Sequence, residues 1–231
     1  MDLPQYTDGF FKVDSTNGFL PCQAPLVSLP ERYNNLQRLL DDLPRITDDQ
    51  KEGLLSIEGA LESRVSQLEN FSEIVKKETD PFVLQALFRG YAFLTSAYTL
   101  APAHFEFLKT GKYGKANRYI PAQLAIPFCW VSRQLEVFPW LDYHYAYSLG
   151  NYVKKDPKGG FNWENLDMAV KFSGMPDERG FIMLHVDINQ HSPKLVEGVL
   201  NTLQELPRNN ASLVAKNLML VKVAKTKFPT F

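Results

Sequence analysis

Between Pro81 and Pro102 the chain runs Phe82-Val83-Leu84-Gln85-Ala86-Leu87-Phe88-Arg89-Gly90-Tyr91-Ala92-Phe93-Leu94, apolar on nearly every face of a helix. A helix with no polar face cannot lie on a surface and must be wrapped by other elements, so this segment sets the centre of the fold. The pattern predicts an end near Pro102, where a proline breaks the hydrogen-bond ladder, and Gly90 marks a place for a close helix crossing.

Wrapping helices are easy to find. Ser28-Leu29-Pro30-Glu31 has the form of a capping box before Leu36, Leu39, Leu40 and Leu43, a stripe that Pro44 stops. Thr47-Asp48-Asp49-Gln50 reads as a second cap, and Leu54, Ile57, Leu61, Val65 and Leu68 then predict one long surface helix. Ile120 to Leu135 and Pro139 to Val153 give two further helical stretches, the first broken or begun at Pro127. A short helical segment is expected from Asn162 to Lys171. Leu195, Val196, Val199, Leu200, Leu203 and Leu206 recur at helical spacing, and Asn210 caps a last helix from Ala211 to about Lys225. Residues 1 to 27 are irregular, with Phe10-Phe11 and Phe19-Leu20 as apolar patches that drape over the helices. The predicted class is all-α.

Lys154-Lys155-Asp156-Pro157-Lys158-Gly159-Gly160 is the sharpest turn signal, and it divides the chain into a helical domain over residues 1–157 and the start of a second over 158–231. The last helix carries Leu213, Leu220 and Val221 and needs a partner surface, yet the sequence ends soon after in Lys227-Phe228-Pro229-Thr230-Phe231. Two expectations follow: the second domain is truncated, or the exposed helix binds a protein partner.

A formal charge of −1 offers nothing to draw in nucleic acid or an anionic membrane. No run approaches the roughly 18 apolar residues of a spanning helix, and the start lacks a secretory signal, so a cytoplasmic protein is expected. Cys22 and Cys129 are too few and too far apart for a disulfide framework or a zinc site, which makes them free thiols. Lys109-Thr110-Gly111-Lys112-Tyr113-Gly114-Lys115 lacks the order of a phosphate-binding loop and is expected to be solvated.

The chemistry centres on Gly180-Phe181-Ile182-Met183-Leu184-His185. Phe181 and His185 stand four apart and project from one face of a helix, placing an aromatic ring beside an imidazole. Alone, such a histidine is more often a satisfied core residue.

Three blocks add to that pair: Ile120-Pro121-Ala122-Gln123-Leu124-Ala125-Ile126-Pro127-Phe128-Cys129 with Ser132-Arg133-Gln134-Leu135-Glu136; Leu149-Gly150-Asn151-Tyr152-Val153-Lys154-Lys155-Asp156-Pro157 with Trp163-Glu164-Asn165-Leu166-Asp167; and Gly180-Phe181 with His185-Val186, Ile188, His191-Ser192 and Leu195-Val196. Together they resemble the indoleamine 2,3-dioxygenase family, with weaker likeness at Gly18-Phe19-Leu20-Pro21 and Leu29-Pro30-Glu31-Arg32-Tyr33.

The resemblance implies an all-α protein with a smaller and a larger helical domain holding haem b between them. It implies a dioxygenase that adds O2 across the indole C2-C3 bond of L-tryptophan to give N-formylkynurenine, with the oxygen chemistry supplied by the haem. Phe181 falls where the family packs an aromatic against the indole. His185 falls at a distal position that is Ser in some members, and it looks like the His of the related tryptophan dioxygenases that accepts the indole N–H. An orienting role is expected rather than a base role, because an indole N–H is a very weak acid.

The family also draws pocket residues from the stretch between Tyr143 and Ser148. This sequence carries one extra residue between Leu135 and Leu149, so counting from the left selects Tyr143 and counting from the right selects Tyr147 and Ser148. The family's proximal haem histidine and its Gly-Gly-Ser-x-x-Gln-Ser-Ser loop have no counterpart here, and nothing in the resemblance makes His191 the ligand, while His104 and His144 are expected at the surface or in packing. Weak haem binding and little or no dioxygenase activity are therefore expected of this chain alone. Two alternatives stay open: a non-catalytic helical interaction protein derived from the family, and a relative acting on a different indole.

Overall fold

The computed structural model describes residues 12–226. Phe10-Phe11, the start at Met1 and the tail from Lys227 lie outside them. The fold is all-α, with one small antiparallel hairpin.

The helices are α1 (Asn34–Asp41), α2 (Ala60–Ser66), α3 (Ser72–Val75), α4 (Pro81–Thr110), α5 (Ala122–Gln134), a π-helix (Tyr143–Leu149), α6 (Pro176–Asn189), α7 (Ser192–Glu205) and α8 (Ala211–Lys225). Strands β1 (Tyr152–Lys154) and β2 (Leu166–Met168) pair antiparallel, with Tyr152 opposite Met168.

Helix α4 runs through the middle of the larger core, where Leu87, Tyr91, Phe93 and Leu94 meet Leu36 and Leu40 of α1, Val65 of α2, Val75 of α3 and Phe128 of α5. Gly90 allows this: a Cβ there would come 2.8 Å from the Leu40 side chain, so α1 crosses against bare backbone. Asp80 caps the helix by accepting from the Phe82 N–H at 2.9 Å.

The predicted stop at Pro102 is corrected, since α4 continues to Thr110 and ends at Gly111 in the left-handed region. Pro102 cannot donate to the carbonyl of Tyr98, and the Asn117 side chain takes that acceptor instead at 2.8 Å. The Asn117 backbone N–H takes the next one, Thr99, at 2.9 Å.

Other local expectations fail for identifiable reasons. The long helix over residues 47–68 is broken into a 3-10 turn at Leu54–Ser56 and the short α2, with Gly59 at φ +74° between them. Backbone N–H groups of Gly53, Leu54 and Leu55 bond back to Arg45, Asp42 and Leu43, pairings that outcompete a helix ladder. The capping box at Ser28 does not form; a 3-10 turn at Glu31–Tyr33 leads into α1 without a side-chain cap. The segment Asn162 to Lys171 is a 3-10 turn followed by β2 rather than a helix. Leu166, Met168 and Val170 alternate inward, a period of two that was present in the sequence. The Lys154 to Gly160 turn signal is the loop of this hairpin.

A second, smaller core lies under α6, where Ile182, Met183 and Val186 pack with Leu149, Tyr152, Leu166, Met168 and Leu20. The π-helix stands between the two cores, and Tyr147 touches both. Helices α7 and α8 pack chiefly on each other, with Gly198 letting Val221 close in. Asn210 caps α8 as expected. Of the three apolar residues expected to be bare on α8, Leu213 is exposed, while Leu220 and Val221 are half-buried; Leu218, Met219 and Val223 are exposed instead.

Cys22 and Cys129 are free and exposed. Among the described residues, no helix is long and apolar enough to cross a membrane.

Candidate functional site

Helix α6 places Phe181 and His185 one turn apart on the same side, with ring centroids 5.2 Å apart. The opposite face of α6, Ile182, Met183 and Val186, is fully buried, so burial of that stripe turns the pair outward. Phe181 is 56% exposed, a large aromatic presented rather than packed away.

His185 Nδ1 lies 2.7 Å from the carbonyl oxygen of Phe181. A carbonyl only accepts, so Nδ1 carries the proton and Nε2 of the neutral ring is an acceptor. Tyr143 stands over this imidazole. Its hydroxyl oxygen is 2.9 Å from Nε2 and 3.4 Å from Nδ1, the two rings are at 86°, and their centroids are 5.4 Å apart. Near-equal distances to both nitrogens put the hydroxyl over the ring face, not on the line of the in-plane Nε2 lone pair. Tyr143 therefore covers one face of His185 and leaves that lone pair available. Phe181 completes the group, its ring 6.4 Å from Tyr143. Burial raises the Tyr143 phenol above its ordinary pKa, which keeps it protonated.

The segment Tyr143–Leu149 is wound as a π-helix. Its bonds run from Tyr147 N–H to Asp142 O and from Gly150 N–H to Tyr145 O, each five residues back. A π-turn holds one residue more than an α-turn. Asp142 starts it, its carboxylate accepting from Tyr145 and Ala146 N–H at 2.6 and 3.1 Å. Within this turn Tyr143 faces His185. Tyr147 is turned inward against Phe93 and Phe172, and Ser148 is buried.

A pocket of about 310 Å3 opens beside His185, lined by Phe19, Tyr143, His144, Ser148, Leu149 and Asn189 as well as His185 itself. Phe181 and Tyr147 do not line it. Phe19, Asn189 and His144 were not selected from the sequence as pocket residues, although the Gly18-Phe19 likeness was a signal. Phe19 is delivered by a strap: its N–H donates to the Ser192 hydroxyl at 2.8 Å, and that hydroxyl donates to Asn189 O at 2.6 Å. Gly18, at φ +61°, lets the strap sit this close, since a Cβ would be 2.0 Å from Ser192 Oγ. Burial holds the His144 imidazole below its ordinary pKa, against a smaller opposing pull from Asp142.

The family model described as Indoleamine 2,3-dioxygenase matches residues 8–227. The chain belongs to the indoleamine 2,3-dioxygenase family. It is 25% identical over 207 residues to indoleamine 2,3-dioxygenase 1 of Mus musculus, covering 89% of this chain and 45% of that relative. The Rattus norvegicus indoleamine 2,3-dioxygenase 1 is 23% identical, over 94% of this chain and 48% of its own length. Indoleamine 2,3-dioxygenase 2 of Homo sapiens is 22% identical, over 93% and 47%. The chain thus spans about half the length of the curated relatives it matches.

A haem requires an axial donor and apolar walls on both faces. The described residues of this family member offer one wall, Phe181 with Tyr143, and the imidazole on it is the one the resemblance puts on the substrate side. The residues present therefore do not make a complete haem site, and no reaction step is derived through that group.

Proposed function

We propose that this chain carries the indole-binding wall of a tryptophan dioxygenase of the indoleamine 2,3-dioxygenase family, a cytoplasmic haem enzyme that adds O2 across the indole C2-C3 bond to give N-formylkynurenine. The observation that carries the reading is the 2.7 Å contact between His185 Nδ1 and the carbonyl oxygen of Phe181. With Nδ1–H held by the Phe181 carbonyl, Nε2 accepts a hydrogen bond in the plane of the ring, and an indole lying on Phe181 brings its N–H to that acceptor. Tyr143, over the other side of the imidazole, keeps the ring from rotating. His185 orients the substrate and Phe181 stacks on it, while Tyr147 and Ser148 shape the ground behind.

In this reading residues 1–157 form the smaller domain and 158–231 begin the haem-binding one. No axial ligand is assigned within the chain, so haem binding is weak and turnover of tryptophan by this chain alone is little or none. Titration of the purified 231-residue chain with hemin tests this. A shallow, unsaturated absorbance change is expected; a tight complex with a sharp Soret band and formation of N-formylkynurenine would overturn the claim of an incomplete site.

A second reading rests on the α7–α8 hairpin, which exposes Val199, Leu203, Leu206, Leu213, Leu218, Met219 and Val223. Apolar side chains left exposed on a helical hairpin suit a helical interaction protein. A stable haem-free monomer or defined dimer in size-exclusion chromatography favours it over the dioxygenase reading.

A further inference from the structure

A groove of about 570 Å3 opens between the strap and the β-hairpin, lined by Leu20, Cys22 and Pro25 on one side and by Tyr152, Lys154 and Phe161 on the other. It takes no part in the indole reading: Phe19 belongs to the pocket beside His185, and the next residue, Leu20, to this groove. Its walls carry hydrogen-bonding side chains, Asn17, Gln23 and Gln190 among them. Among the described residues, Lys154 is the one charged residue in the lining.

Two of the lining groups are left unmatched by the fold. The Lys154 ammonium donates to Gly159 O at 2.9 Å and stands 4.0 Å from the centre of the Phe161 ring, both neutral, and among the described residues no carboxylate pairs with it. Lys155 and Lys158 in the same hairpin loop add two cations against Asp156, whose carboxylate is held by the Lys158 N–H at 3.0 Å. The acid of the strap, Asp14, is occupied by the N–H groups of Thr16 and Asn17, both at 2.8 Å. The second unmatched group is Tyr152, 3% exposed, whose phenol burial pushes up to about 12, so that it stays a donor at neutral pH. Its hydroxyl has no partner among the described residues, and unlike those of Tyr91 and Ser148 it is not shut off from solvent. An unpaired donor on a buried residue carries a cost that an acceptor in the groove removes.

Cys22 adds a chemical handle. Its thiol is exposed, lines the groove, and accepts from the Asn17 side-chain amide at 2.8 Å, which holds the sulfur at the wall. We propose that this groove binds a small organic anion, and that Cys22 forms a mixed disulfide there with an anionic low-molecular-weight disulfide. Lys154 meets the charge of the anion, and Tyr152 donates to one of its oxygens. In the covalent step the Cys22 thiolate attacks one sulfur of the ligand's S–S bond, which breaks as the new bond forms. The departing sulfur leaves as a thiolate and takes up the proton that Cys22 gave up, so one disulfide replaces another and no further oxidant is consumed.

The test uses the full chain carrying Cys129→Ser, which leaves Cys22 as its sole thiol. Mass spectrometry times mixed-disulfide formation with glutathione disulfide, which is anionic, bis(2-hydroxyethyl) disulfide, which is neutral, and cystamine, which is cationic. Each rate is divided by that of the same probe on the urea-unfolded chain, which cancels intrinsic reactivity. The glutathione disulfide ratio is expected to be the highest and to fall toward the others in high salt. Lys154→Gln lowers it about two- to fivefold, the worth of one partly exposed ion pair, and leaves the ratio of the neutral probe as it was, which also reports that the variant is folded. Tyr152→Phe keeps the buried ring and lowers the glutathione disulfide ratio about fivefold, the worth of one ordinary hydrogen bond. A neutral or cationic probe with a ratio equal to or above that of glutathione disulfide overturns the proposal, and so does an equal loss of all three probes in Lys154→Gln.

Discussion

His185 Nδ1 and the carbonyl oxygen of Phe181 lie 2.7 Å apart, one helical turn from each other. The contact couples the two side chains of the site through the backbone of one of them, and fixes which imidazole nitrogen is free. Nitrogen-15 spectra of the neutral His185 ring are expected to show the proton on Nδ1; a ring protonated on Nε2 contradicts the orienting role. Phe181→Ala removes an exposed ring, so thermal stability changes by less than about 1 kcal/mol. Indole affinity falls by a factor of about 2 to 12, the range of a lost aromatic contact.

The strap that delivers Phe19 hangs on one hydroxyl. Ser192→Ala leaves the Phe19 N–H without its acceptor and costs about 1–3 kcal/mol in urea denaturation. Gly18→Ala is expected to be at least as damaging, because it adds left-handed strain and a Cβ 2.0 Å from Ser192 Oγ. In both variants limited proteolysis should cut first between residues 12 and 27. Wild-type resistance to proteolysis in these variants would show that the strap is held elsewhere.

Arg89 is 2% exposed. Its guanidinium donates to Gly150 O at 2.8 Å and Leu26 O at 2.6 Å, tying α4 to the end of the π-helix and to the strap. Arg89→Met fills similar volume but leaves both carbonyls unpaired, and a loss of about 2 kcal/mol is expected. Since Gly150 ends the π-helix, hydrogen exchange in residues 143–150 should quicken more than in α1; uniform quickening argues against this tie.

Glu78 is the buried carboxylate of the first core. Desolvation raises its pKa, but hydrogen bonds from Arg32 at 2.5 Å, from the Asp80 N–H and from Tyr33 at 3.1 Å outweigh it, and the net position is below the ordinary 4.5. A lowered folded-state pKa adds stability that is complete above the unfolded value and disappears as pH falls through the folded one. Denaturation midpoints should therefore drop as pH falls below about 4.5, and Glu78→Gln should flatten that part of the curve. An unchanged slope in the variant would remove Glu78 from the acid response.

Much of the core and half of the site were legible in advance. The all-round apolar α4, the α1 stripe and the Asn210 cap are local patterns, and local patterns survive folding when nothing competes with them. The stripe from Leu54 to Leu68 was equally regular and still failed, because Gly53, Leu54 and Leu55 found backbone partners at the end of α1. Pro102 failed as a stop because Asn117, distant in sequence, took the carbonyl it released.

By itself the sequence determined that Phe181 and His185 share a face, since four residues is close to one helical turn whatever surrounds them, and its motifs placed the chain in its family. Only the tertiary structure decided which tyrosine meets His185. Two counts of the same stretch gave two answers, and the choice of Tyr143 over Tyr147 came from the π-turn wedged between two cores. The Phe19 wall and the unpaired Ser148 hydroxyl arose the same way, from contacts between segments that no periodicity records.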